Sequence, residues 1–521
     1  MLQVDLILYN AQIIAMNDKD IDINWVAVND GRIIDLGIEE GYLKYKDMAK
    51  EFVNLKGKTL LPGFYDSHVH LVQTGLNIMG LNLSNVESIN ELLEVVGEEA
   101  KKKDRGEIIR GIGLDPLKIK EGRFPTRHEL DICAPNNPVW INSIEYHTSI
   151  VNSMALHMIN IPFNVDGIIR NERNIPNGKL TGKASALVRN QIYKNMNNNI
   201  RLEGVNIALN HAVEQGVTSL NALEGGATFH DKDAQFMMKN SHIFPIDITL
   251  FYQTIDVDRI IKNDLKRIGG CIFLDGSFGS RTAAISSGYA DKGDTRGDLY
   301  FTQEELNEFV LEAHRNNIQV TVHAIGTRAI DQILTAYEYC QKIYPRKNHR
   351  HRIEHFEMPT EEHIERAARL NIVLSMQPAY EYYWGDKGGM YDTRLGELRQ
   401  KTNPLRRILD KGLIVAGGSD SDVTPINPIL GIHTAVNHPI EEHAITVYEA
   451  LKMFTINGAK AVFEEEYKGS IEIGKYGDFV ILNENPFKVK KDRLKDIQIA
   501  ATIKEGNLLF IKQGCDINWR N

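Results

Sequence analysis

The chain has 521 residues, more than one ordinary domain holds, with 60 basic and 69 acidic side chains and a formal net charge of −9. That modest acidity argues against a nucleic-acid or anionic-membrane surface, which needs clustered Lys and Arg; the longest basic run, Lys101-Lys102-Lys103, is followed by Asp104 and reads as a solvated helix face. No stretch approaches the roughly 20 apolar residues of a membrane span, and the four cysteines (Cys133, Cys271, Cys340, Cys515) lie too far apart for a CxxC knuckle or a disulfide framework, so a reducing cytoplasm is expected.

The first element is an alternating strand, Val4–Tyr9, in a start that has no positive n-region and is interrupted by Asp5, unlike a signal peptide. Trp25–Asn29 and Arg32–Leu36 flank Asp30-Gly31, a hairpin signal. A buried strand follows at Thr59–Phe64. Seven more come at Thr218–Asn221, Ile246–Phe251, Cys271–Asp275, Ile318–His323, Arg352–His355, Ile372–Gln377 and Ile414–Asp420. Helical patterns at Glu304–Asn316, Arg328–Lys342, Glu361–Arg369 and Tyr448–Phe463 separate several of them. Eight β-α units predict a (β/α)8 TIM barrel over 61–464.

About 150 residues separate the first two strands, where a plain unit needs roughly 30, so an inserted lobe is expected at about 80–200. Strands at Phe479–Leu482, Ile499–Ile503 and Leu508–Ile511 close the chain. With the N-terminal strands they suggest a small β-sandwich assembled from both termini, residues 1–60 plus 465–521.

The chemistry gathers at strand ends. The first strand runs into His68-Val69-His70, the fifth ends at His323, the sixth at His355 and the eighth at Asp420. The C-terminal strand ends form a barrel's active face, and alternate positions of an extended segment point the same way, so His68 and His70 can grip one metal. Imidazole and carboxylate together suit zinc first, with manganese, iron or nickel as alternatives. Taken singly each residue has a plainer reading. A bare H-x-H is weak evidence in a chain of 17 histidines, and a second one at His349 and His351 reads as coincidence. Asp420 could be a helix N-cap. Placement at successive strand ends favours the metal site.

The segments PGFYDSHVHL, VTVHAIGTRAI, RIEH and GGSDSDVTPINP, with DGSFGSRTAA, GYAD and NSMAL, resemble the amidohydrolase superfamily, and within it the amidohydrolase family 3 branch. The terminal KGSIEIGKYGDFVILNENP is similar to that superfamily's β-sandwich segment. The resemblance implies one or two divalent metal ions, with His68 and His70 on the first, His323 and His355 on the second, and Asp420 as ligand and proton shuttle. It also implies hydrolysis of a carbon–nitrogen bond (amide, cyclic amide or N-acyl) in a small molecule. A deaminase of an aromatic amine or heterocycle, with Glu357 as a nearby carboxylate, is the alternative; a regulatory or binding protein that keeps the barrel without catalysis is another. His147 and Arg281 are candidate substrate contacts, although a rim salt bridge would explain Arg281 equally well. Tyr380, Tyr382, Tyr383 and Trp384 could wall an apolar pocket or simply pack. A small-molecule substrate is expected, with no nucleic acid and no membrane, and a homodimer is left open.

One position departs from the pattern. Where many relatives carry a lysine, carboxylated in binuclear members, this chain has Cys271. Three readings stand: a thiolate bridging two metals, a thiolate on one, or a buried bystander beside a mononuclear site, since free cysteine is commonly buried.

Overall fold

Pro62 and Gly63 hand the chain from one sheet to another in the computed structural model, which describes residues 4–17, 22–116, 118–143, 148–159, 162, 164–226 and 229–519. Thr59–Pro62 pairs antiparallel with Phe479–Leu482, and Gly63 donates its N–H to the carbonyl of Asp478. One residue later Phe64 bonds Gly216, and Phe64–Val69 runs parallel to Val217–Glu224. The expected strand Thr59–Phe64 is therefore two strands, and the barrel begins at Phe64. A side chain at Gly63 would stand 2.2 Å from Thr218 Oγ1, so only glycine fits the crossing.

The eight parallel strands of the barrel are β1 (Phe64–Val69), β2 (Val217–Glu224), β3 (Asp247–Tyr252), β4 (Arg267–Phe273), β5 (Gln319–Ala324), β6 (Arg352–His355), β7 (Val373–Met376) and β8 (Ile414–Gly417), hydrogen-bonded in that order. Their residues are almost all buried, as a sheet covered on both faces requires. The barrel is a (β/α)8 TIM barrel. It closes beyond the end of β8, where Asp420 N–H donates to the His68 carbonyl and His70 N–H to the Ser421 carbonyl.

Helices Gln303–Arg315, Glu361–Arg369 and Val447–Met453 each start with a threonine cap in a reciprocal capping box. The pattern Tyr448–Phe463 divides into two helices, Val447–Met453 and Ile456–Ala461. Tyr65 N–H of β1 takes the carbonyl of Phe454 at the break, which an unbroken helix would need for itself.

Two sheets flank the barrel ends of the chain. One joins Val4–Tyr9, Trp25–Asn29, Arg32–Gly37 and Ala49–Asn54; the other joins Gln12–Ile13, Thr59–Pro62, Phe479–Leu482, Ile499–Lys504 and Asn507–Ile511. Leu6, Leu8, Val26, Val28, Leu60, Phe479, Ile481 and Ile503 form their shared core. The hairpin Asp30-Gly31 has both residues at positive φ, the two-residue turn that matches strand twist.

The chain divides into two compact units: Met1–Leu71, Leu209–Glu224 and Met237–Asn521, and a second of Val72–Ala208 and Gly225–Phe236. The second has its own six-stranded sheet and its own core around Leu83, Leu92, Leu130, Ile141 and Ile150. Among the described residues no helix is long and apolar enough to cross a membrane.

Candidate metal centre

Backbone irregularities aim the side chains. In β4, Gly269 and Gly270 lie at φ +99° and +109°, and register with β5 shifts between Gly269 and Phe273. This bulge swings Cys271 into the barrel, its N–H held by Gln253 Oε1 at 2.8 Å. His355 and Phe356 have φ of 72° and 51°, and Asp420 of 53°, conformations that cost free energy for residues with a Cβ and persist where surroundings impose them. The eighth strand ends at Gly417, so Asp420 is reached through two irregular residues, Gly418 and Ser419, rather than by the expected strand Ile414–Asp420.

The convergent atoms form two groups that share one sulfur. His68, His70, Cys271 and Asp420 make the first; Cys271, His323 and His355 the second; within each, the ligand atoms lie within 4.8 Å of one another. Asp420 Oδ1 is 3.1 Å from His68 Nε2 and 3.2 Å from His70 Nε2, and Cys271 Sγ is 3.3 Å and 3.5 Å from the same nitrogens. The His323 and His355 rings are 4.4 Å apart, centre to centre.

Each histidine shows the centre only one nitrogen, because the other faces an acceptor. His68 Nδ1 meets Glu354 Oε2 at 2.7 Å, and His70 Nδ1 the Leu223 carbonyl at 2.9 Å. His355 Nδ1 meets Gln377 Oε1 at 2.8 Å, and His323 Nε2 the Gly276 carbonyl at 3.1 Å. An acceptor on one nitrogen fixes the proton there and leaves a lone pair on the other. Those other nitrogens, His323 Nδ1 and His355 Nε2, are buried without a hydrogen-bond partner, as is Asp420 Oδ1. Buried orphan acceptors are expensive, and a cation among them removes the cost. The residues fit a metal.

A third cluster, His314, Cys340 and His351, has ligand-like spacing but the opposite protonation logic. His351 Nδ1 accepts the Val320 N–H at 3.0 Å, so its Nε2 carries the proton and donates to His314 Nδ1 at 2.7 Å. His314 Nε2 then donates to the Tyr344 carbonyl at 2.7 Å. The chain of bonds is complete and offers a metal nothing. The second H-x-H, His349 and His351, belongs to this packing.

Electrostatics separate the groups further. Burial alone would raise Asp420, but His68 and His70, when protonated, outweigh it and hold its carboxyl well below the ordinary value. Burial likewise opposes ionising Cys271, yet the same two histidines pull its thiol well below normal. Glu354 resists burial through Arg352 and His68 and is held down to about 2, an anion behind His68. Burial and the neighbouring Asp420 charge push Tyr380 well above the usual phenol value, so it is an O–H donor. Burial also pushes Glu357 up to about 7, where it accepts from Tyr391.

Of the residues singled out in the sequence, His68, His70, Cys271, His323, His355 and Asp420 converge. Arg281 does not join them: its guanidinium grips Asp291 through Nε at 3.0 Å and Nη2 at 2.7 Å, the rim salt bridge. His147 lies outside the described residues. The sequence reading missed the supporting shell of Glu354, Gln377, Gln253 and the Tyr380 hydroxyl on Asp420. Only Glu354 had a local signal, lying beside His355 in RIEH.

A model described as the amidohydrolase family matches residues 51–510. The putative amidohydrolase YtcJ of Bacillus subtilis (strain 168) is 30% identical over 94% of this chain and 96% of its own. The N-substituted formamide deformylase of Arthrobacter pascens is 28% identical over 98% and 99%. Among solved structures, an uncharacterized metal-dependent hydrolase from Pyrococcus furiosus is similar with a TM-score of 0.78 at 26% identity, covering 93% of this chain and 100% of that one.

Proposed function

This chain belongs to the amidohydrolase family, and from that premise we propose that it hydrolyses a carbon–nitrogen bond of a small molecule: an amide, cyclic amide or N-acyl group. The observation that carries the reading is the inward set of unpartnered nitrogens on His323 and His355, joined to His68, His70 and Asp420 through one shared thiol.

The residues divide the work. His68 Nε2, His70 Nε2 and Asp420 Oδ1 would hold one divalent ion, His323 Nδ1 and His355 Nε2 a second, with Cys271 Sγ common to both. Imidazole, thiolate and carboxylate together favour zinc. A bound ion of this kind lowers the pKa of water from 15.7 to about 7 and so supplies a nucleophile at neutral pH. Asp420 accepts the proton of the attacking water and returns it to the leaving nitrogen, a task for a carboxylate kept ionised. Glu354, Leu223, Gly276 and Gln377 fix ring orientation, and so keep each lone pair aimed.

Deamination of an amine on a heterocycle is the second reading, favoured by Glu357, a buried carboxyl two residues after His355. Its hydrogen bond from Tyr391 leaves a proton-handling group beside the centre. Metal-replete protein offered a panel of N-acyl amines, cyclic amides and amino-heterocycles separates the readings. New carboxylate with released amine, or ring opening, supports the first; ammonia from a heterocycle supports the second. Neither, with metal bound, points to a barrel kept for binding.

A further inference from the structure

The two oxygens of Asp420 have different neighbours. Oδ1 faces His68 Nε2 and His70 Nε2, the nitrogens turned to the metal position, whereas Oδ2 accepts the hydroxyl of Tyr380. Tyr380 is buried, its ring parallel to His355 (6.1 Å, 11°) and packed by Trp384 at 4.7 Å. The short helix that carries it, Ala379–Trp384, follows Gln377, whose side chain holds His355 Nδ1.

That helix is anchored from its other side. Glu381, next after Tyr380, is wholly buried and ion-paired with Arg399, and Asn403 Nδ2 donates to it at 2.8 Å. A side chain at Gly385 would meet Glu381 Oε2 at 2.2 Å, so the anchor needs glycine there too. Five consecutive residues, Gln377 to Glu381, thus carry an outer contact to a ligand of each group and the bolt that holds both.

We propose that Tyr380 is a positioning residue, whose phenol keeps Asp420 Oδ2 away from the metal so that the carboxylate ligates through Oδ1 alone. The proposal rests on the metal-site reading above. An ionised carboxylate can bind a cation through one oxygen or both, and a charge-assisted O–H···O⁻ bond is among the stronger ties that can decide between them. An oxygen with one O–H bond keeps a further lone pair, so Oδ2 can still receive a proton from water. Without the phenol the carboxylate is free to rotate and spend both oxygens on the ion.

Tyr380→Phe in cobalt(II)-loaded protein tests this without turnover. Phe keeps the ring on His355 and Trp384, so the melting temperature and cobalt stoichiometry should hold. The visible cobalt bands should weaken and shift as the freed carboxylate adds a second oxygen to the ion. Tyr383→Phe, exposed on the same helix, should leave them unchanged. With whichever substrate the panel identifies, kcat should fall roughly 10–100-fold, the range for outer-shell partners, with KM nearly constant. Bands identical to those of the parent protein overturn the clamp. A protein that takes up cobalt, shows the band shift, yet hydrolyses nothing fails the hydrolase reading and keeps the clamp. One that takes up no cobalt fails both.

Discussion

A carboxylate whose oxygens are separately engaged can be dissected by single-atom changes. Asp420→Asn keeps the shape and the contact with Tyr380 but cannot take a proton from water at neutral pH. Turnover should drop roughly 10²–10⁴-fold with fold and most metal retained, and near-parental kcat in that variant would remove Asp420 as the shuttle. Cys271 is the residue on which both groups depend. Cys271→Ser replaces a soft thiolate ligand with a hydroxyl, so metal content per chain or affinity for zinc should fall. If elemental analysis finds both unchanged, the thiol only packs. Cys271 stood out because the family it resembles carries a lysine there, with a ligand and a bystander both left open; that its sulfur lies near both histidine pairs came from the bulge at Gly269 and Gly270.

That bulge sets the prediction at the scale of elements. A methyl at Gly269 would stand 1.8 Å from the carbonyl oxygen of Thr321 in β5, at a φ that L-residues rarely adopt. Gly269→Ala should therefore cost at least about 2 kcal/mol of stability, and a β4 that shifts to relieve the clash carries Cys271 with it. The variant should lose zinc affinity although Gly269 is no ligand. Destabilisation in urea with unaltered metal binding would show that the bulge does not aim the sulfur. Much of this scale was legible in advance: β6 and the helix Glu361–Arg369 have the expected bounds, because the alternation of strand and helical patterns is a local signal. Pro62-Gly63 is a break signal inside Thr59–Phe64 that the single expected strand passed over, but the change of partner strand it marks is a tertiary event.

For the whole molecule, acid sensitivity is expected from the histidine cluster that binds no metal. Burial, with His314 and Arg346 nearby, pulls His349 down to about 4 from an ordinary 6.5. Folded His349 is then neutral between pH 6.5 and 4, where the unfolded chain binds a proton. Stability must fall as pH drops through that window and level off below it, by on the order of 3 kcal/mol for this group. His349→Asn, whose side-chain oxygen can accept the His351 N–H that His349 Nδ1 now accepts, should flatten the fall in melting temperature between pH 6.5 and 4. An unchanged slope would assign the acid sensitivity elsewhere.

The amino-acid order by itself determined the alternation of strands and helices, the long interruption after the first barrel strand, and the placement of four histidines and an aspartate at strand ends. These follow from periodicity and short-range chemistry, which are readable within ten or so residues. Tertiary structure alone decided which nitrogen of each ring carries a lone pair, that Arg281 closes on Asp291, and that Tyr380 bonds one oxygen of Asp420. Most of the partners that fix these lie far away in the chain: His68 is oriented by Glu354, 286 residues on, and Cys271 meets His68 across 203, whereas Arg281 and Asp291, ten residues apart, lie in irregular chain with no period to read. A strand pattern tells which face a side chain takes; only the packed neighbours tell what waits there.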